Sequence, residues 1–76
     1  MKGNKMRLEY KNQIENSFKF WEIKIDAKRK VVIKYGRIGI NNPPEKENKF
    51  SSEEAAKKYA EKKIREKIGK GYVQVK

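Results

Sequence analysis

The sequence predicts an α+β fold, a twisted antiparallel β-sheet of four to five strands with one helix of the C-terminal half packed on a face. Three observations lead there. Short runs rich in aromatic and β-branched residues, separated by polar links, fill the first half of the chain, and adjacent strands joined by short links pair antiparallel. A capped amphipathic run follows from Ser51, and an alternating segment closes the chain at Val75. The chain has 76 residues, and one this short buries only about 60% of the surface its unfolded form exposes. We therefore expect a single domain over 1–76, with its core over about 6–76, and no two-domain enzyme.

The strands follow from alternation. Met6, Leu8 and Tyr10 alternate with Arg7, Glu9 and Lys11, the period of a half-buried strand. Asn12 to Asn16 reads as a connection. From Ser17 to Asp26, Trp21, Ile23 and Ile25 share one parity and Phe18 and Phe20 the other, so this strand carries apolar side chains on both faces. Trp21 is expected in the core with its neighbours of the same parity. Asp26-Ala27-Lys28-Arg29 has the polar character of a hairpin turn, and Lys30 to Ile40 is a third β-rich run. Asn41-Asn42-Pro43-Pro44 cannot hold a ladder, because proline lacks an N–H and pushes its predecessor toward extended geometry. Glu45 to Phe50 then returns as a short, charged edge strand.

The helix is announced by Ser51, with Glu54 three residues on as a capping box and acids at the positive end of the dipole. Glu53 with Lys57, Glu54 with Lys58 and Glu61 with Arg65 stand four apart in the favourable order. Ile68-Gly69-Lys70-Gly71 ends it, with a glycine in the left-handed position, and Tyr72 to Val75 is the last strand. At about 100° per residue, Ala56, Ala60 and Ile64 fall on one face, with Tyr59 and Ile68 at its margins. Small alanines suit close approach to a sheet, whereas a membrane-surface helix wants bulky Leu, Phe or Trp. Lys67 falls in the same arc, so the helix end must overhang the sheet and let its side chain reach water.

Charge narrows the function. Lys and Arg number 21 against 10 Asp and Glu, a net charge of +11. A basic chain of this kind suits polyanions, nucleic acid first and an anionic membrane surface second. With no Cys and no His, thiol nucleophiles, imidazole bases and almost every transition-metal site are absent, so we expect no enzyme, no metal and no cofactor. No apolar run approaches the roughly 18 residues of a membrane span, and Met1 to Met6 has no apolar segment behind it. The expected location is the cytoplasm, with the nucleoid, or the nucleus. The carboxylates Glu45 with Glu47 and Glu53 with Glu54 read as solvated charge. Gly69-Lys70-Gly71 follows a helix instead of opening one, so it is no phosphate loop. Lys57, Lys58, Lys62 and Lys63, interleaved with acids, read as a solvated face.

Tyr35-Gly36-Arg37-Ile38-Gly39 is the most informative stretch. An aromatic ring and a guanidinium two apart on a strand can stack on a nucleotide and pair with phosphate. The same spacing also fits a Tyr35 packed in the core with Arg37 as a solvated strand charge. Val31, Ile33, Tyr35 and Arg37 share a face in a regular strand, yet Ile38 and Ile40 oppose them and also want burial, which a bulge or twist near Gly36 would reconcile.

At these residues the chain resembles the WGR domain family, named for a Trp-Gly-Arg tripeptide that here reads Tyr35-Gly36-Arg37. Lys19-Phe20-Trp21-Glu22-Ile23 is similar to the family's Lys-Phe-Tyr-x-Ile strand, Ser51 to Ala56 to its Ser-x-x-Glu-Ala helix start, and Glu66 to Tyr72 to its Glu-Lys-x-x-x-Gly-Tyr ending. The blocks occur in order from Leu8 to Tyr72. The resemblance implies the same sheet-and-helix fold and, as in DNA-damage-responsive poly(ADP-ribose) polymerases, binding near a DNA break. It also implies, position by position, that Tyr35 stacks at a terminal nucleotide, that Arg37 contacts DNA beside Gly36, and that Lys67 assists. Tyrosine offers less stacking area than tryptophan, and the sequence carries no catalytic or zinc-finger segment for such a module to signal to. The expected function is thus a non-catalytic nucleic-acid-binding module, a monomer whose partner is DNA and whose preference is for ends or breaks. The alternatives are a small architectural protein coating duplex DNA, or an interaction module docking on an acidic partner or a neighbouring domain.

Overall fold

Alternation decides which side of each strand turns inward, and the computed structural model, which describes residues 4–26 and 29–75, shows where that leads. The elements are β1 (Asn4–Asn12), β2 (Ser17–Asp26), β3 (Lys30–Arg37), β4 (Glu45–Lys49), α1 (Glu53–Gly69) and β5 (Val73–Val75). The five strands form one antiparallel sheet in the order β4-β3-β2-β1-β5. The hairpin turn expected over 26–29 lies in part outside the described residues, while Asp26 and Lys30 on either side of it are paired.

Register carries the apolar pattern across the sheet. Met6 stands opposite Ile23, and Ile23 opposite Ile33; Leu8 stands opposite Trp21, and Trp21 opposite Tyr35. Leu8, Trp21, Ile23, Val31 and Ile33 are buried on this face together with Ala56 and Ala60 of the helix. Because β4 and β5 are the two edges, α1 must cross the sheet to join them. Its 17 residues span about 25 Å at about 1.5 Å per residue, enough for the roughly 19 Å between edge strands of a five-stranded sheet. Alanine at the contact lets the axis come close; Tyr59 and Ile64 flank it, half-buried, as expected. Ile68, expected at the margin of that face, is instead 53% exposed, because the last turn runs past the packed region.

β4 ends at Lys49 and β5 begins at Val73, each one residue short of the sequence reading, and two further boundaries differ for a physical reason. The helix is capped by Ser52, not Ser51: the Ser52 Oγ accepts from the Ala55 N–H at 3.1 Å, so the Ser51–Glu54 box does not form. Neighbouring serines offer the same oxygen, and the entry of the chain chooses between them. Phe50 stacks on Tyr59 with ring centroids 5.0 Å apart and donates its N–H to the Arg29 carbonyl at 2.8 Å. The third strand ends at Arg37 and not at Ile40. Gly36 has φ of 147°, and the Ile40 N–H closes a turn on the Arg37 carbonyl at 3.1 Å. Pairing is continuous through Arg37 without a bulge, so Ile38 and Ile40 never enter the alternation.

The opposite face of the sheet is closed by charge pairing. The Arg7 guanidinium lies 4.4 Å from the Phe20 ring centroid and donates to Glu9 at 3.0 Å and to Glu22 at 2.7 Å. Phe20 is buried beneath it, and the hydrogen bond from Arg7 holds the Glu9 carboxyl below its ordinary range, against the opposing effect of burial.

Two substitutions test this packing. Ala60→Glu forces a carboxylate against the sheet without a partner and should cost about 3 kcal/mol or more; an unchanged melting temperature would mean that another face of α1 meets the sheet. Gly71 has φ of 102°, and a Cβ there would lie 3.1 Å from Tyr10 Cε1, so Gly71→Ala meets both strain and contact. Chemical denaturation should register a loss of about 1 to 3 kcal/mol.

Candidate nucleic-acid interface

Lys63 and Lys67 of α1 and its C-cap Lys70 lie at i, i+4 and i+7, which puts them in one stripe at the helix end. The stripe faces the ends of β2 and β3 across an open groove of about 360 Å³. Trp21 and Tyr35 line it from the sheet, Tyr59 from α1 and Tyr72 from the link between α1 and β5, and Lys19 and Lys46 complete the lysine rim. Lys19 is there because it shares Trp21's parity, and Lys46 because it stands opposite Ile33. At the centre, the Lys67 ammonium sits 5.8 Å from the Trp21 ring centroid and 5.3 Å from that of Tyr72. The aromatic faces and the negative end of the helix dipole both favour a cation at this point.

The groove is electrostatically one-sided. Five lysines line it against the single acid Glu66, and Glu66 is engaged by Lys63 at 3.6 Å. Lys19, Lys46, Lys67 and Lys70 form no ion pair with any described acidic side chain. Burial first, then the neighbouring Lys70 and Lys63, hold the Lys67 amine below its ordinary value, with Glu66 opposing in part. A group of like charges beside aromatic rings is stabilised by an anion entering from solvent.

Of the four residues expected to form the site, Tyr35, Gly36 and Lys67 line this groove. Arg37 is the last residue of β3, exposed, and stands across the ladder from Lys19 next to the groove. Tyr35 is 42% exposed, so the core placement is Trp21's and not its own. Gly36 is required by its backbone angle: a Cβ there would meet only ordinary contacts with Ile40 and Phe20, the nearest at 3.5 Å. Sequence reasoning passed over Lys19, Lys46, Lys63 and Lys70. The three helix lysines were signalled by spacing, and Lys63, read as part of a solvated face, is half-buried with its ammonium 5.6 Å from the Tyr59 ring centroid.

Among the described residues no group of three or more Asp or Glu side chains is placed to hold a metal ion. Among the described residues no helix is long and apolar enough to cross a membrane. A family model described as WGR domain matches residues 4–76. No curated protein matches the sequence. Among solved structures, the chain is similar to a crystal structure of a Bacteroides fragilis protein determined as a structural genomics target, with a TM-score of 0.86 and 33% identity. The match covers 96% of this chain and 20% of that one, so the chain spans about a fifth of that protein's length.

The electrostatics of Lys67 can be tested on the free protein. Because its amine is held below the ordinary 10.5, its charge is less favourable in the folded than in the unfolded state. That penalty is complete below the folded-state pKa and fades as pH rises through it toward 10.5. Lys67→Met should therefore melt no lower than the parent at neutral pH, and any advantage of the variant should shrink as the pH approaches that value. A clear loss of stability at neutral pH would show that the ammonium is structural.

Proposed function

The chain belongs to the WGR domain family, and from that premise we propose that it is a non-catalytic module that binds DNA along the lysine and aromatic groove, with a preference for ends or breaks. The observation that carries the reading is the half-buried Lys67, set between the rings of Trp21 and Tyr72 beside three further lysines without acidic partners. Backbone phosphates are the partner of matching charge, and counterion release supplies affinity that needs no sequence readout. The exposed Tyr35 ring offers a stacking surface, and a ring at the edge of a groove meets a base most easily where the stack is interrupted, at an end or a nick. Arg37, exposed beside it, pairs with phosphate. On the opposite face Arg7, Lys5 and Lys11 are engaged by Glu9 and Glu22, which favours the helix side for the polyanion.

A second reading, a protein that coats duplex DNA without regard to ends, is favoured by the exposed lysines Lys57, Lys58 and Lys62 on α1, away from the groove. A gel-shift comparison of blunt, nicked and circular duplexes with single strands separates the two. Tighter binding to blunt and nicked forms supports end recognition, and equal binding to the circle supports coating.

If about four phosphates are neutralised, log K should fall with log salt at a slope near −3.6. A flat dependence in fluorescence anisotropy would count against an electrostatic groove. Arg37→Ala should weaken binding by about 1.5 to 3 kcal/mol and change folding stability by less than about 0.5 kcal/mol. Tyr35→Ala should weaken binding by about 1 to 3 kcal/mol, and Tyr35→Trp should preserve or improve it. Loss of fold without selective loss of binding in these variants would remove Tyr35 and Arg37 from the site.

A further inference from the structure

The β1–β2 hairpin ends in a turn that the groove does not use. Ile14, at its tip, is 98% exposed, more than any other large apolar side chain described. Single exposed apolar residues are ordinary on protein surfaces; this one is set apart by the braced turn that carries it. The Glu15 N–H donates to Asn12 Oδ1 at 3.2 Å, and the Asn16 N–H donates to the Gln13 carbonyl at 3.1 Å. The Asn12 amide donates to the Tyr10 hydroxyl at 3.1 Å. Tyr10 in turn stacks on Tyr72 with centroids 5.5 Å apart and lies under the Lys19 ammonium at 5.6 Å. The tip is thus tied to Tyr72 and Lys19, two residues that line the groove.

Register gives the distance. Tyr10, Lys19 and Arg37 stand side by side across three strands, and Asn12 with Ser17, the last pair before the turn, lies two residues further on. At about 3.4 Å per residue that is about 7 Å to the base of the turn, or about two base-pair steps of duplex DNA, and Ile14 lies beyond it. DNA held by Lys19, Arg37 and Tyr35 therefore has the hairpin tip within reach of its bases. The tip has the chemistry of a minor-groove wedge: one apolar side chain, borne by a preorganised turn that also carries the amides of Gln13 and Asn16, while its one acid, Glu15, accepts from the Tyr10 hydroxyl at 3.5 Å.

We infer that Ile14 is an apolar wedge that enters a base step of duplex DNA held in the lysine and aromatic groove and partly unstacks it. The inference rests on the DNA-binding reading of that groove. Ile14 adds apolar contact, and Gln13 and Asn16 supply the hydrogen-bonding edge, while the phosphates remain with the lysines and Arg37. The rigid turn is what makes the insertion favourable, because no loop has to be ordered when the step opens.

The experiment uses short duplexes carrying a fluorescent adenine analogue, whose emission rises on unstacking, at successive steps from one end. The parent should raise emission at one or two adjacent steps. Ile14→Ser should lose that rise and bind about tenfold more weakly, the equivalent of removing a buried aliphatic side chain. Its salt slope and melting temperature should remain those of the parent, since it removes neither a phosphate contact nor a core residue. Ile14→Leu should retain both the rise and the affinity. Salt-dependent binding by the parent with no emission change at any step would overturn the wedge and leave the groove reading standing. Failure of the parent to bind DNA would overturn both. An Ile14→Ser variant that keeps affinity and emission but loses self-association would assign the tip to a second copy of the chain, and so also overturn the wedge.

Discussion

The burial of Trp21 is the interaction on which both halves of this structure rest. Its side chain is 4% exposed, joined on one side to Leu8, Ile33 and the helix alanines, and it also forms the floor of the groove. An aromatic of this size supplies a large share of the apolar area available to so short a chain. Its ring also gives Lys67 a face to lie against, which lets an ammonium be half-buried without a carboxylate. A smaller side chain here would weaken the core and remove the cation's support together.

How near the helix lies to Trp21 is set by Ala56 and Ala60. With no side chain beyond Cβ at the contact, α1 comes close enough for Lys67 to reach over the Trp21 ring while the last turn, with Ile68 and Lys70, passes beyond the packed region. The length of α1 and the placing of β4 and β5 at opposite edges then fix the direction of the crossing. The lysine stripe is therefore a consequence of packing: the same rotation that buries Ala56 and Ala60 turns Lys63, Lys67 and Lys70 toward the sheet ends.

Much of this was legible in the chain itself. β2 runs over the alternating segment Ser17 to Asp26, and the alanine face of α1 is the one its spacing indicates. What was not legible turned on single backbone angles or on register. The β-rich run of Val31, Ile33 and Tyr35 extends by composition to Ile40, and the positive φ of Gly39 with the turn from Ile40 back to Arg37, which letters do not display, ends the strand at Arg37. Ser51 and Ser52 are chemically equal caps, and the choice belongs to a tertiary contact between Phe50 and Tyr59. In the site, Tyr35, Gly36 and Lys67 were accessible through the family motif. Lys19 and Lys46 enter only once three strands are aligned, since nothing local in either stretch relates them to residues on α1.

Net charge alone does not orient such a molecule toward a polyanion; the position of its carboxylates does. Of the acids on the sheet, Glu9 and Glu22 lie on the face away from the helix, where they engage Arg7, Lys5 and Lys11. Glu45 and Glu47 share that face by register, since they stand opposite Lys34 and Val32. Strand parity thus sorts charge as it sorts apolar side chains. The same period of two that gathers Leu8, Trp21 and Ile33 under the helix sends the acids to the other side and leaves Lys19 and Lys46 at the groove without partners. On α1, Glu53 and Glu54 stand at the opposite end from Lys67 and Lys70, in the order the helix dipole favours. The separation of charge that distinguishes the groove from the rest of the surface follows from the two periodicities that build the fold, and any rearrangement of the sheet register by one residue would abolish both at once.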